Sequence, residues 1–166
     1  MLARFITLAS GTFGAAASSQ FPEFSQQYLQ RLGGAVDELR RVAAGFDADA
    51  AALGLTRQEA LVQLAEGGAM GAQRAETMAG VLSRFQQLQT DLAALQDLTP
   101  LQRVLSAARF SDPEVASAAW ASFQPAIPVS ADGMMFAGGG VLAGILAAGL
   151  LLSVLRLPFR ALGLAA

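Results

Sequence analysis

Gly133–Leu155 reads GMMFAGGGVLAGILAAGLLLSVL, a run with no charge and a single hydroxyl, Ser153. At about 1.5 Å rise per residue this helix would span roughly 34 Å, enough to cross a hydrocarbon core of about 30 Å. The core helix of a soluble protein rarely runs this long without one polar face. The stretch therefore predicts a transmembrane helix, and the rest of the chain is read outward from it. Gly140 and Gly144 form a GxxxG, and Gly138, Gly139, Ala147, Ala148 and Gly149 add further small residues. Lipid supplies no hydrophobic drive between helices, so small residues that allow close backbone approach carry the packing.

A second uncharged segment lies at the other end, Phe5–Pro22, FITLASGTFGAAASSQFP. Two readings stand. One is a transmembrane helix of roughly 27 Å, at the short end of what spans a bilayer. The other is a signal peptide, with MLAR as its charged start and Ala15-Ala16-Ala17 as an A-x-A cleavage site. Gly11, Gly14, Ala15 and Ser18 give this segment its own small residues, with Gly11/Ala15 and Gly14/Ser18 at i,i+4. Gly140, Gly144, Gly11 and Ala15 are thus the expected packing positions in the membrane. They fit either an antiparallel hairpin of the two spans or a homodimer or partner helix. Arg4 precedes the first span, and Arg156 and Arg160 follow the second. Positive flanks stay cytoplasmic, so both termini are expected inside and the middle in the periplasm. In Leu157–Arg160 (LPFR), Pro158 is expected to end the helix, with Phe159 among the headgroups and the arginines on anionic lipid.

The middle differs in kind. All 13 acids lie between Glu23 and Asp132, with eight of the 11 arginines, a surplus of five negative charges. A helix is expected from Pro22 to Gly45, with the seam Tyr28, Leu32, Ala35, Leu39, Val42 and Phe46 at coiled-coil spacing. Phe46–Leu55 reads as a turn, and Thr56–Glu59 (TRQE) as a capping box opening a second helix. That helix carries a seam from Leu61 to Leu95 and, if continuous to Asp97, would run roughly 60 Å. Gly67, Gly68 and Gly71 weaken it, so a break or bend there stays open. Pro100 opens a short helix through Arg109. Ser111–Glu114 (SDPE) reads as a second capping box, starting a helix through Phe123. Pro125 and Pro128 then form an extended return, and Trp120 and Phe123 mark the membrane interface. No alternating β-branched segment is present, so no sheet is expected.

Composition narrows the chemistry. Of 166 residues 54% are hydrophobic and 14% charged, and mean hydropathy is +0.45. Soluble domains are about a quarter charged, and disorder needs far less hydrophobicity. The chain has no Cys, His or Lys. That excludes disulfides, thiolate or imidazole metal ligands, His-dependent triads, and P-loop or Schiff-base lysines. The Lys-free, Ala-rich composition points to a GC-rich bacterial genome. Asp37 and Arg41 read as a solvated i,i+4 pair rather than an acid/base site. Asp47, Asp49 and Asp132 have no EF-hand order and read as turn residues. Gly138-Gly139-Gly140 lacks the Lys and hydroxyl of a phosphate loop. No charge lies inside either span, so a proton relay lacks its marker. The scattered arginines form no nucleic-acid patch.

Ser19–Arg40, SQFPEFSQQYLQRLGGAVDELR, resembles the N-terminal signature of a family of uncharacterised bacterial membrane proteins, domain of unknown function 2937. Ala119-Trp120, Phe123-Gln124-Pro125-Ala126 with Pro128, the Gly-rich span and Pro158-Phe159-Arg160 are similar as well. The resemblance covers most of the chain. It implies a small proteobacterial membrane protein with an N-terminal hydrophobic segment, and it carries over no catalytic residue.

The expected fold is all-α, two transmembrane helices flanking an extramembrane helical hairpin. The expected divisions are 1–21 (first span or signal peptide), 22–131 (coiled-coil-like periplasmic domain), 132–157 (second span) and 158–166 (interfacial cytoplasmic tail). The expected role is a non-enzymatic partner-binding or assembly subunit of the bacterial inner membrane. Its partners would be the bilayer and itself or another membrane protein, with no nucleic acid, cofactor or metal. Phe21, Phe24 and Tyr28, where the hairpin meets the membrane, form the candidate partner surface. The alternative is an oligomeric transport or channel subunit using the Gly-rich span.

Overall fold

Pro22 has no N–H to donate, and its ring crowds the carbonyl four residues earlier, so a helix running in from the N-terminus is interrupted there. In the computed structural model, which describes residues 2–125, 127 and 129–161, α1 accordingly spans Leu2–Ser19 and α2 spans Phe21–Ala52, with only Gln20 between them. The remaining helices are α3 (Arg57–Ala65), α4 (Gly68–Leu95), α5 (Pro100–Leu105), α6 (Pro113–Ser122) and α7 (Ala131–Ala161), with a 3₁₀ turn at Ala107–Arg109. The described residues form helices and connections only, the all-α class expected. They divide into two compact units, residues 1–25 with 123–166, and residues 26–122.

In the first unit α1 lies antiparallel along α7. The close pairs run in opposite senses: Ser18 with Phe136, Gly14 with Gly140, and Ser10 with Gly144. Residues Ala131–Leu155 of α7 are the one stretch, among the described residues, long and apolar enough by composition to cross a membrane. α1 falls short because Arg4 and its Ser, Thr and Gly residues lower its average hydropathy. Its backbone helical to Ala161, α7 passes through Pro158, so the helix does not end at that proline as expected. Residues 162–166 of the expected tail, the side chains of residues 156–161, and Pro128 of the extended return lie outside the described residues.

The second unit is built on α2 and α4. From α2 the buried residues are Tyr28, Leu29, Leu32, Val36, Ala43 and Ala50. The heptad spacing expected of this helix is present, but the seam is rotated: Val36 and Ala43 face inward in place of Ala35 and Val42, and Val42 is 38% exposed. Adjacent residues lie about 100° apart on a helix, so a gap of three or four is equally compatible with the pattern until a neighbour selects the face. From α4 come Gly71, Ala75, Leu82, Leu88 and Leu95, and from α6 Val115 and Ala119.

Two connections differ from expectation. Phe46–Ala52 is helix rather than turn, because FDADAAA is alanine-rich and alanine favours helix. The turn contracts to Leu53–Leu55, where Gly54 has φ +72°. Leu55 N–H donates to Ala50 O (2.9 Å) and Gly54 N–H to Ala51 O (3.0 Å), the paired bonds of a Schellman stop. The open question at Gly67–Gly71 resolves as a break. α3 ends at Ala65, Gly68 takes φ +80°, and α4 begins anew. The corner is tight enough that a Cβ on Gly71 would stand 2.4 Å from Leu64 O.

Candidate functional site

The α1/α7 contact is made by backbone. A Cβ on Gly14 would lie 2.2 Å from Gly140 O. One on Gly140 would lie 2.1 Å from Gly14 O, and one on Gly144 would lie 2.2 Å from Ser10 O. Only glycine permits this approach. Ser18 Oγ donates across the seam to Phe136 O at 2.6 Å. Gly140 and Gly144 thus sit at the closest points. A Cβ on Gly11 would stand 3.3 Å from the Ile145 side chain, slightly closer than ordinary contact, and Ala15 is half-buried beside the contact, whose centre is Gly14. Gly138, Gly139 and Gly149 meet nothing within 4 Å.

The outward surface of this pair is apolar. Phe5, Leu8 and Phe13 on α1 are 71–76% exposed, and Leu142, Leu146 and Leu150 on α7 are 65–73% exposed. A cleft of about 550 Å³ lies at the end formed by Ala3, Arg4, Thr7, Gly149 and Ser153.

Of the expected partner surface, Tyr28 is buried, while Phe21 and Phe24 are half-buried, each against another ring. Phe21 stacks on Phe136 with ring centroids 5.6 Å apart, and Phe24 meets Phe123 edge-on at 6.0 Å. Tyr28 is 1% exposed against Phe110 at 4.6 Å. Aromatic rings bury large areas and pair when a neighbour is in reach, and the later half of the chain supplies those neighbours.

The second unit holds a belt of charge inside its helices. Arg84 reaches both oxygens of Asp112 (3.1 and 3.2 Å) and Glu114 at 2.6 Å. Arg109 pairs with Asp91 at 3.0 Å, and that carboxylate is only 6% exposed. Arg103, 7% exposed, donates to Leu95 O and Gln96 O, closing the C-terminus of α4, and to Gln26. Burial pushes the Arg103 guanidinium below its ordinary pKa. Burial also pushes the Asp112 carboxyl up, but the Val115 N–H and Arg84 outweigh it and hold the group below the ordinary range. The Tyr28 hydroxyl is raised, chiefly by burial. Gln27 Oε1 is buried without a hydrogen-bond partner.

The capping expectations divide. Thr56 and Glu59 form the box expected of them, and the bonds from Thr56 keep the Glu59 carboxylate below its usual pKa. In SDPE the cap is Asp112, which accepts from Val115 N–H at 2.9 Å; Glu114 turns instead to Arg84. A box at Thr99–Gln102 opens α5 and went unread, although it repeats the TRQE logic with Gln at the third position. The buried charges Asp91 and Arg103 were also missed. Asp91 lies three residues after Leu88 and four before Leu95, on the seam itself, and that spacing was the available signal.

The side-chain pair expected between Asp37 and Arg41 is not the one formed: Asp37 binds Arg40 one residue earlier (2.6 Å), and Arg41 turns to Glu38, while Asp47 holds Arg57 bidentately at 2.7 and 2.6 Å. Asp47 is therefore engaged by a cation of the chain itself. Among the described residues no group of His, Cys, Asp or Glu is gathered as a metal cage.

These features define an all-helical protein with one strongly apolar, membrane-length helix and a charge-laced helical body. The chain belongs to the family described as "Protein of unknown function (DUF2937)", whose model matches residues 2–161. Comparisons with curated proteins and with solved structures return no match.

Proposed function

We propose that the protein is a two-span bacterial inner-membrane protein whose helical body binds a partner protein or a second copy, without catalysis of its own. The observation that carries the reading is the division of α1. Its polar and small residues, Ser10, Gly14 and Ser18, face α7, while Phe5, Leu8 and Phe13 face outward. Average hydropathy therefore understates how apolar α1 is to its surroundings, since Ser18 bonds across to α7 while the Thr7 and Thr12 hydroxyls bond back to Ala3 O and Leu8 O of the helix itself. At 18 residues α1 is roughly 27 Å long, within reach of a bilayer core. Arg4, Arg156 and Arg160 favour cytoplasmic termini, with residues 26–122 in the periplasm. The non-enzymatic part of the reading is supported by the commitment of Asp91 and Asp112 to arginines, where a general acid or base needs a carboxyl with freedom to exchange protons.

The experiment is crosslinking of the full chain in native membranes, followed by mass spectrometry, after extraction at alkaline pH has established integral insertion. A recurring second protein or a self-crosslink through α2–α6 supports the reading. Release of the intact chain by alkaline extraction overturns it. Robust solute flux from proteoliposomes of the pure protein would favour a transport subunit instead.

A further inference from the structure

The 550 Å³ cleft of the α1/α7 pair is a notch between residues of unequal size. Ala3 and Gly149 leave it hollow, and Leu8, Leu152 and Arg4 supply its larger walls. The seam beside it is shut, since Ala148 is 4% exposed, whereas a Cβ on Gly149 would meet nothing within 4 Å. The hydroxyls of Thr7 and Ser153, which also line the notch, donate to Ala3 O (2.9 Å) and Gly149 O (2.8 Å) of their own helices. Arg4 is therefore the one charge in the lining and its one uncommitted side-chain donor. Among the described residues it has neither an ion pair nor a hydrogen-bond partner. It also lies in the first turn of α1, where the helix dipole and the free N–H groups favour an anion over a cation.

We propose that this cleft binds one anionic glycerophospholipid, its phosphate on Arg4 and an acyl chain along the aliphatic walls. The inference rests on the two-span reading above, which puts Arg4 at the level of the cytoplasmic headgroups. A guanidinium with no carboxylate beside it is matched by a phosphate, which it can hold through paired hydrogen bonds. Charge selects a lipid with net negative charge over a zwitterion. This end of the unit carries Arg4, Arg156 and Arg160 and no acid. The acids of the same unit belong to its other end: Asp132 is about 30 Å from Ser153 along α7, and Glu23 lies past the end of α1. The surroundings select a lipid over a free phosphate ion. Phe5, Leu8 and Leu150 are 69–71% exposed around the cleft; an acyl chain covers such a surface and an inorganic ion does not.

The test uses the full chain, purified in non-ionic detergent, stripped of lipid and offered equimolar phosphatidylglycerol and phosphatidylcholine of one acyl length. Retained lipid is counted by native mass spectrometry. The expected result is one phosphatidylglycerol per chain, preferred roughly tenfold, the size of one charge-assisted hydrogen bond. Arg4→Gln should abolish the preference and Arg4→Lys keep part of it. Gly149→Leu should lose both lipids, because it fills the notch while clashing with nothing and leaving every arginine in place. It also keeps the test decisive if Arg4→Gln disturbs insertion. Gly138→Leu, equally unhindered but outside the cleft, should retain the lipid. Equal retention of the two lipids by the unaltered chain overturns the inference. So does a preference that survives Arg4→Gln, or retention that survives Gly149→Leu. Loss of lipid in Gly138→Leu overturns it too, since the site is then not the cleft. Displacement by inorganic phosphate as effective as by phosphatidylglycerol assigns the site to a free anion and overturns the lipid. All these outcomes leave the two-span reading standing. That reading fails separately, if the intact chain is released from membranes at alkaline pH.

Discussion

Replacing Gly140 by Ala adds one methyl group at the point where α1 and α7 are closest. That Cβ would stand 2.1 Å from Gly14 O and 2.0 Å from Ser18 Oγ, whereas ordinary contact begins at 3.4 Å. The helices must separate by about 1.3 Å, because the obstacle is backbone and cannot rotate away. The Ser18–Phe136 hydrogen bond, now 2.6 Å, then stretches to about 3.9 Å, beyond useful length. Losing it costs about 0.6–1.7 kcal/mol in a membrane setting, and overpacking costs about 1–3 kcal/mol. Together these give roughly 2–4 kcal/mol, a fall in melting temperature on the order of 5–10 °C for a chain of this size. The assay is thermal melting in detergent micelles followed by circular dichroism, with Gly138→Ala as the matched control. Gly138 lies in the same helix with nothing within 4 Å, so its Ala variant should melt unchanged or higher, alanine being the better helix former by up to about 1 kcal/mol. If Gly140→Ala melts at or above Gly138→Ala, the glycine-contact reasoning is wrong.

Three further outcomes follow from the second unit. Asp112 sits below the ordinary carboxylate range when folded, so its stabilisation is present above about pH 4 and is lost as pH falls through the depressed value. Asp112→Asn should lower stability at neutral pH by about 1–2 kcal/mol and make denaturant midpoints less sensitive to acid. Gly68→Ala and Gly80→Ala should shift urea midpoints in opposite directions: the first meets φ +80° and loses about 1–2 kcal/mol, while the second lies mid-helix in open space and gains up to about 1 kcal/mol. Tyr28→Ala should cost about 3–5 kcal/mol by chemical denaturation, since the ring is buried on Phe110.

What could be read along the chain was what depends on neighbours in sequence. The apolar length of Gly133–Leu155, the heptad spacing of α2, the TRQE box and the weakness at Gly67–Gly71 are each settled within a few turns of backbone, by solvation, helix periodicity or local hydrogen bonding. The GxxxG announced a close contact in the same local way. What met it was Gly14 and Ser10, more than a hundred residues earlier.

The rest was decided by distant partners. Val36 rather than Ala35 faces inward because a helix offers both within one turn, and only the neighbouring helices choose between them. Tyr28 became interior, and Phe21 and Phe24 half-buried, because Phe110, Phe136 and Phe123 reach them from later in the chain. Arg103 turned inward because α4 ends with open carbonyls, and the aliphatic side of α5 was left outside as a result. Sequence thus determined which segments are helical and which are too apolar for water. Tertiary structure determined which face of each helix is covered, because that choice rests on through-space contacts whose partners no local pattern names.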